Sequence, residues 1–145
     1  MPDGAGAADA RGGPGGVGGR RSDGRVIDEA KGFDQNAAQY ERARPSYPAE
    51  AVAHVVGHGR IGPGRRVLDL AAGTGKLTET LARRYARVVA VEPLAPMRAF
   101  IGRRAQGAEV LEGRAEAIPL PDAAVDAVFV AQAFHWFANE EAVAE

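Results

Sequence analysis

The sequence has no cysteine. A disulfide scaffold, a thiolate metal site and a cysteine nucleophile are therefore excluded. No apolar run approaches the roughly 20 residues that a bilayer-spanning helix needs. The N-terminus lacks the apolar stretch of a secretory signal. Asp3, Asp9 and Asp23 interrupt the same segment and argue against a transit peptide. An excess of one charge is also missing. A formal net charge of −1 gives no basic field to attract nucleic acid or an anionic membrane. The expectation is a soluble, cytoplasmic protein whose partner is neither nucleic acid nor membrane.

A chain of 145 residues holds one domain at most, with a modest core. Residues 1–31 stand apart in composition. Nine glycines fall in the first 24 positions, and large apolar residues are nearly absent before Val26 and Ile27. Such a stretch buries too little surface to offset its ordering entropy, so it reads as a disordered tail. Residues 32–145 carry the folded part.

Phe33–Tyr40 reads as a short helix, and Pro45 and Pro48 punctuate the next segment. Pro48 suits the first turn of a helix over Ala49–Val56, with Val52, Val55 and Val56 on one face. Gly57, Gly59, Gly62, Pro63 and Gly64 break it. Short apolar runs at Val67–Leu70 and Val88–Val91 suit buried parallel strands, and Glu109–Leu111 and Val125–Val130 read as a third and a fourth. Helices are expected over Leu77–Arg84 and Met97–Arg104, and another begins near Asn139. Strands and helices alternating at this spacing predict right-handed βαβ units and a parallel sheet. The fold class expected is α/β, a Rossmann-like, doubly wound, mostly parallel sheet.

The turn Asp69-Leu70-Ala71-Ala72-Gly73-Thr74-Gly75 comes after the first strand and opens a helix. Open α/β sheets bind ligands at this position. Gly73 and Gly75 allow close backbone approach, and Asp69 sits at the strand's carboxyl end. A dinucleotide fingerprint is incomplete, because Thr78 takes the place of the third glycine. A phosphate loop also fails, because Leu77 comes after Lys76 where Ser or Thr is required. Glu92 ends the second strand, where a carboxylate can accept hydrogen bonds from both hydroxyls of a ribose. That acid suits NAD and S-adenosylmethionine alike. An NAD(P)-dependent oxidoreductase and a non-catalytic interaction module remain as alternatives. His54 and His58 sit four apart on a helix but lack a third ligand, so no metal site is expected. His135, whose ordinary pKa lies nearest neutrality, is the candidate general base.

Four ordered segments resemble the class I S-adenosylmethionine-dependent methyltransferases. Val67–Leu77 resembles their first motif, and Val89–Pro93 their acidic motif at the next strand tip. Gly113–Asp122 resembles the "G-x-A-E-x-L-P-x-P-D" segment of the small-molecule branch, and Ala131–Phe137 the motif after its fourth strand. Phe33–Tyr40, Arg44-Pro45 and Tyr47-Pro48 resemble its N-terminal lid. The overall likeness is to the type 11 group, near enzymes similar to trans-aconitate methyltransferase.

The resemblance implies S-adenosylmethionine as cofactor and a small-molecule acceptor. It places Asp69 and Gly73, with Ala71 and Gly75 in the same motif, at the methionyl part, and Glu92 at the ribose. Pro93 to Met97 would flank the adenine, with Ala115 and Glu116 at its edge. Ala131 and Gln132 would lie near the sulfonium, and Tyr40, Arg44 and Tyr47 would close over the site. Two positions depart from the family pattern. Ala71 replaces the first glycine of the motif, and its methyl is expected to crowd the cofactor. Arg114 replaces an acid expected at the adenine. The family's domain has seven strands in the order 3-2-1-4-5-7-6, whereas four are read here. The expectation is a fragment, with strand four as an open apolar edge prone to self-association.

Overall fold

The computed structural model describes residues 45–85 and 87–145. The expected tail, the helix at Phe33–Tyr40 and the lid residues Tyr40 and Arg44 lie outside the described residues. The element order is α1 (Ala49–His58), β1 (Arg66–Leu70), α2 (Lys76–Ala82), β2 (Arg87–Val91), α3 (Ala95–Arg104), β3 (Glu109–Leu111), β4 (Ala127–Phe129), a 3-10 turn (Phe134–Trp136) and α4 (Glu140–Ala144). The four strands form one sheet in the order β3-β2-β1-β4, every neighbour parallel. The α/β Rossmann-like class is therefore as expected.

The register explains the burial. Leu68 pairs with Val89 and Val128, and Asp69 with Ala90 and Phe129. Alternation then sends Val67, Asp69, Val88 and Ala90 to one face, and Leu68, Leu70, Val89 and Val91 to the other. The first face is covered by α1 and α2 through Val52, Val56, Leu77 and Leu81, and by α3 through Ile101 and Ala105. The second is covered by the chain between β3 and β4, through Ala115, Ile118, Leu120 and Val125, and by Phe137 and Ala142 beyond β4. Apart from Asp69, both central strands are thus apolar on both sides, which is why they read as nearly continuous hydrophobic runs.

Several boundaries differ from expectation for identifiable reasons. Pro48 caps α1 from outside, its carbonyl accepting from the N–H groups of Ala51 and Val52 at 3.1 and 3.2 Å. Val55 is 57% exposed and leaves the apolar face to Val52 and Val56. Helix α3 starts two residues early because Pro96, in its first turn, is already set for helical φ. Strand β4 is shorter than Val125–Val130. Asp126 spends its polar groups pinning the strand's entry instead: its N–H donates to the Arg66 carbonyl, and its carboxylate accepts from the Arg66 N–H, each at 2.8 Å. Arg65 adds a third bond at 2.8 Å. Val125 turns into the second core cluster. Among the described residues, no helix is long and apolar enough to cross a membrane.

Candidate cofactor site

The carboxyl ends of β1, β2 and β4 open on one cleft, the location that parallel topology dictates for a ligand. Asp69, Ala71, Ala72, Gly73, Thr74, Lys76 and Leu77 line it from β1 and the turn into α2. Glu92, Pro93, Leu94 and Met97 line it from β2 and α3, and Ala131, Gln132, Ala133, Trp136 and Phe137 from beyond β4. Pro45 and Tyr47 close one side.

The turn after β1 is a run of unusual backbone. Ala71, Gly73 and Gly75 have φ of 57°, 57° and 82°, all in the left-handed region. The glycines serve different ends. A Cβ on Gly73 would meet nothing within 4 Å, so its bare face is open to the cleft. A Cβ on Gly75 would lie 3.0 Å from the Cα of Ile101, so this glycine lets α2 and α3 close together. Gly75 is accordingly a packing residue and is not on the cleft wall. Ala71 departs from expectation in a second way. The sequence points to an effect of its methyl on the ligand, yet its own backbone already carries the left-handed φ, which costs an L-residue roughly 1–2 kcal/mol.

Glu92 joins the two strand-tip loops. Its Oε2 accepts from the Gly73 N–H at 2.9 Å, and its Oε1 from the Leu94 N–H at 3.0 Å. A carboxylate has about four acceptor positions, so two remain for a ligand's hydroxyls. Burial raises the Glu92 carboxyl above its ordinary range, opposed by the two N–H donors and by Arg98. Arg98 carries no signal in the sequence alone. Its guanidinium donates to the carbonyls of Glu92 and Pro93 at 2.9 and 2.6 Å and pairs with Glu112 at 2.6 Å, fixing the bend after β2.

Asp69 is 1% exposed. Burial pushes its carboxyl up from 3.8 to about 7, with help from the neighbouring Glu92 charge and against hydrogen bonds from Thr78. The Thr78 hydroxyl donates to Asp69 Oδ2 at 2.6 Å. Thr78, in the sequence only the residue at a missing glycine, is therefore the one that holds Asp69. Two carboxyls thus stand at adjacent strand tips, both disfavoured as anions in the free chain.

The remaining expected site residues fall elsewhere. Ala115 is 5% exposed and packs in the second core cluster. Glu116 accepts from the Asn139 amide at 3.1 Å and lies 3.7 Å from Arg114. Neither residue is on the cleft wall. His135 does not reach it either. The 3-10 turn points Trp136 and Phe137 into the cleft and leaves His135 exposed, with its ring 5.0 Å from that of Trp136. The base assignment to His135 thus loses its geometric support. Gln132, at φ 55°, lines the cleft with Ala131. The His54 and His58 rings lie 4.3 Å apart, tilted by 47°, and the His58 Nδ1 lies 3.1 Å from the His54 carbonyl, engaging one ring within α1.

A glycine-lined crevice with a buried acid at the next strand tip is the arrangement in which open α/β sheets hold nucleosides. Comparison with known proteins narrows this. Residues 68–145 match the family described as "Methyltransferase domain", and the chain belongs to that family. It is 45% identical over 118 residues to an uncharacterized methyltransferase of Mycobacterium tuberculosis, covering 81% of this chain and 47% of that protein. It resembles the structure of a DhpI–SAH complex at a TM-score of 0.60 and 29% identity, over 76% of this chain and 54% of the other. It also resembles SAM-bound CalS10, an amino pentose methyltransferase from Micromonospora echinaspora, at a TM-score of 0.54 and 28% identity, over 67% and 41% of the two chains. The chain spans about half the length of the curated relatives it matches.

Two outcomes are expected. Ala71→Gly relieves the left-handed backbone and raises unfolding free energy by about 1 kcal/mol, after allowance for the added freedom of the unfolded chain. A urea midpoint that is unmoved or lowered would contradict the strain. The second concerns pH. A folded carboxyl held above its unfolded value gives stability that is full below 3.8 and is lost as pH rises toward about 7. Asp69→Asn removes this loss. The stability of wild type relative to the variant should therefore fall across that window, by at most about 1.4 kcal/mol per pH unit, and then level off. Parallel pH profiles would disprove it.

Proposed function

We propose that this chain is the S-adenosylmethionine-binding part of a methyltransferase that acts on a small-molecule acceptor. The observation that carries the reading is the 2.9 Å bond from the Gly73 N–H to the Glu92 carboxylate. It sets an open glycine face beside a buried acid that keeps acceptor capacity. The donor set suits a nucleoside without a pyrophosphate, because the third-glycine position is filled by a buried threonine. The solved complexes with SAM and SAH in related proteins support the same choice.

In this reading Glu92 would hold the ribose hydroxyls. Pro93, Leu94 and Met97 would flank the base, with the Met97 thioether as a polarizable packing surface. Asp69 and Gly73 would lie against the amino-acid tail, and Ala131 and Gln132 near the reacting centre. When bound, the cofactor supplies a methyl group already activated on a sulfonium. The chain's own work is then positioning and exclusion of water. Leu77, Trp136 and Phe137 give the cleft its apolar wall, and Lys76 adds a cation. The sequence's resemblance to enzymes of the trans-aconitate type inclines the acceptor class toward small acids.

Calorimetry tests the cofactor reading. S-adenosylmethionine should bind in the micromolar range, and Glu92→Ala and Gly73→Val should each weaken it about tenfold or more. Unchanged affinity in both variants, or thermal stabilisation by NAD(H) and not by S-adenosylhomocysteine, would overturn it.

A second proposal concerns assembly. Among the described residues β4 pairs only with β1, and Val128 on it is 51% exposed. An apolar strand edge of this kind favours pairing with a second copy. Light scattering after size exclusion should show a concentration-dependent dimer. A clean monomer at high concentration would rule it out.

A further inference from the structure

The cleft wall holds two carboxyls, and the fold secures them by different means. Glu92 is fixed by backbone N–H groups from Gly73 and Leu94, which any sequence with this backbone supplies. Asp69 depends on a side chain. The Thr78 hydroxyl donates to its Oδ2 at 2.6 Å. Thr78 is fully buried inside α2, facing β1. Threonine is a mediocre helix former, and a buried hydroxyl without a partner is destabilising. A valine has the same shape without that liability. The hydroxyl therefore has a use only through Asp69.

We propose that Thr78 is a positioning residue for cofactor binding: by holding Oδ2, it turns the other carboxyl oxygen of Asp69 toward the cleft to receive the ammonium of the ligand's amino-acid tail. This rests on the cofactor reading above. An O–H donor favours the ionised carboxyl over the neutral one, as does an arriving cation. In the free chain, burial and the Glu92 charge oppose ionisation of Asp69. Binding of an ammonium therefore releases the Asp69 proton to solvent, and the cation offsets the cost of the buried anion. The charged neighbours are few. Glu92 faces Asp69 from the tip of β2, and Lys76 lines the same cleft at the start of α2. Glu79, farther along α2, is turned to Arg83 and Arg104. On the β4 side, Phe129, Val130, Ala131 and Gln132 bring no charge.

The test uses two neutral nucleoside thioethers that differ in the tail. S-adenosylhomocysteine carries the ammonium; 5′-methylthioadenosine lacks the amino-acid part. Calorimetry is run from about pH 5.5 to about pH 8.5, spanning the expected ionisation. S-adenosylhomocysteine should bind more tightly as pH rises through neutrality, by up to about tenfold per pH unit, while 5′-methylthioadenosine stays flat. Thr78→Val should move that rise to higher pH and weaken binding about tenfold at neutral pH, Thr78→Ser should restore it, and Asp69→Asn should abolish the slope. Thr78→Cys, a weaker donor of similar size, should fall between Ser and Val. In the ligand-free chain, carbon-13 NMR of the Asp69 carboxyl should show its titration shifted upward in Thr78→Val and unshifted in Thr78→Ser. The proposal is overturned if Val and Ser variants share one pH profile, if the tail-less nucleoside shows the same slope, or if the NMR titration is indifferent to the hydroxyl. Should neither nucleoside bind, the cofactor reading fails, and the proposed ligand role of Thr78 with it. The NMR arm still reports whether the hydroxyl controls Asp69.

Discussion

The geometry of the cleft depends on one hydrogen bond between two loops that the sheet brings side by side. β1 and β2 end level with one another, with Leu70 opposite Val91. Beyond that point the ladder stops and the loops diverge, one toward α2 and the other toward α3. The Gly73 N–H to Glu92 contact spans the gap, and the Ala72 N–H to Val91 carbonyl bond at 3.1 Å seats the turn just before it. These bonds hold the left-handed turn together with the Gly75 N–H to Ala72 carbonyl bond at 3.0 Å. With them, the open face of Gly73 and the acceptor positions of Glu92 are fixed relative to each other before any ligand arrives. Preorganisation of this kind lowers the ordering cost of binding.

The cleft is held at some expense to the fold. Ala71 sits in a backbone region that favours glycine, and Asp69 and Glu92 are buried where anions are poorly solvated. These disadvantages cluster at the strand tips and nowhere else in the sheet, whose other inward positions are Val, Leu, Ala and Phe. Local strain and buried charge at one end of an otherwise regular sheet mark a binding site with more force than any single residue does. The apolar layers beneath supply the stability that lets the site keep both. Leu81, Ile101, Val67 and Val91 are all fully buried there.

The sheet and the turn were legible in the sequence because they obey local rules. Short apolar runs at Val67–Leu70 and Val88–Val91, bounded by turn residues, fit strands covered on both faces, and Gly73 and Gly75 fit a tight exit. Glu92 was legible because it ends such a run. What escaped was long-range. Arg98 reaches back to the bend at Glu92 and Pro93 across six positions, and Thr78 reaches Asp69 across nine, and neither spacing is a local signal. In the sequence Thr78 stood out only as the residue in place of a third glycine. Ala115, Glu116 and His135, by contrast, carry a signal in the sequence and do not line the cleft. A linear motif shows that residues are near the site in sequence, but the turns at Arg114–Ala117 and Phe134–Trp136 decide which side chains turn inward.

The two carboxyls also determine what the cleft can hold. Phosphate groups would meet Asp69 and Glu92 as a second and third negative charge in a poorly solvated place, and α2 opens with a left-handed Gly75 packed on Ile101 in place of a free anion-binding terminus. A ligand with hydroxyls at one end and a cation at the other meets the opposite situation. Its hydroxyls would find acceptors on Glu92, and its positive charge would offset the burial of an ionised Asp69. The same residues that make the free site unfavourable for anions make it favourable for a cationic nucleoside. That asymmetry, set by burial and not by the glycines alone, is what separates this turn from a pyrophosphate-binding one.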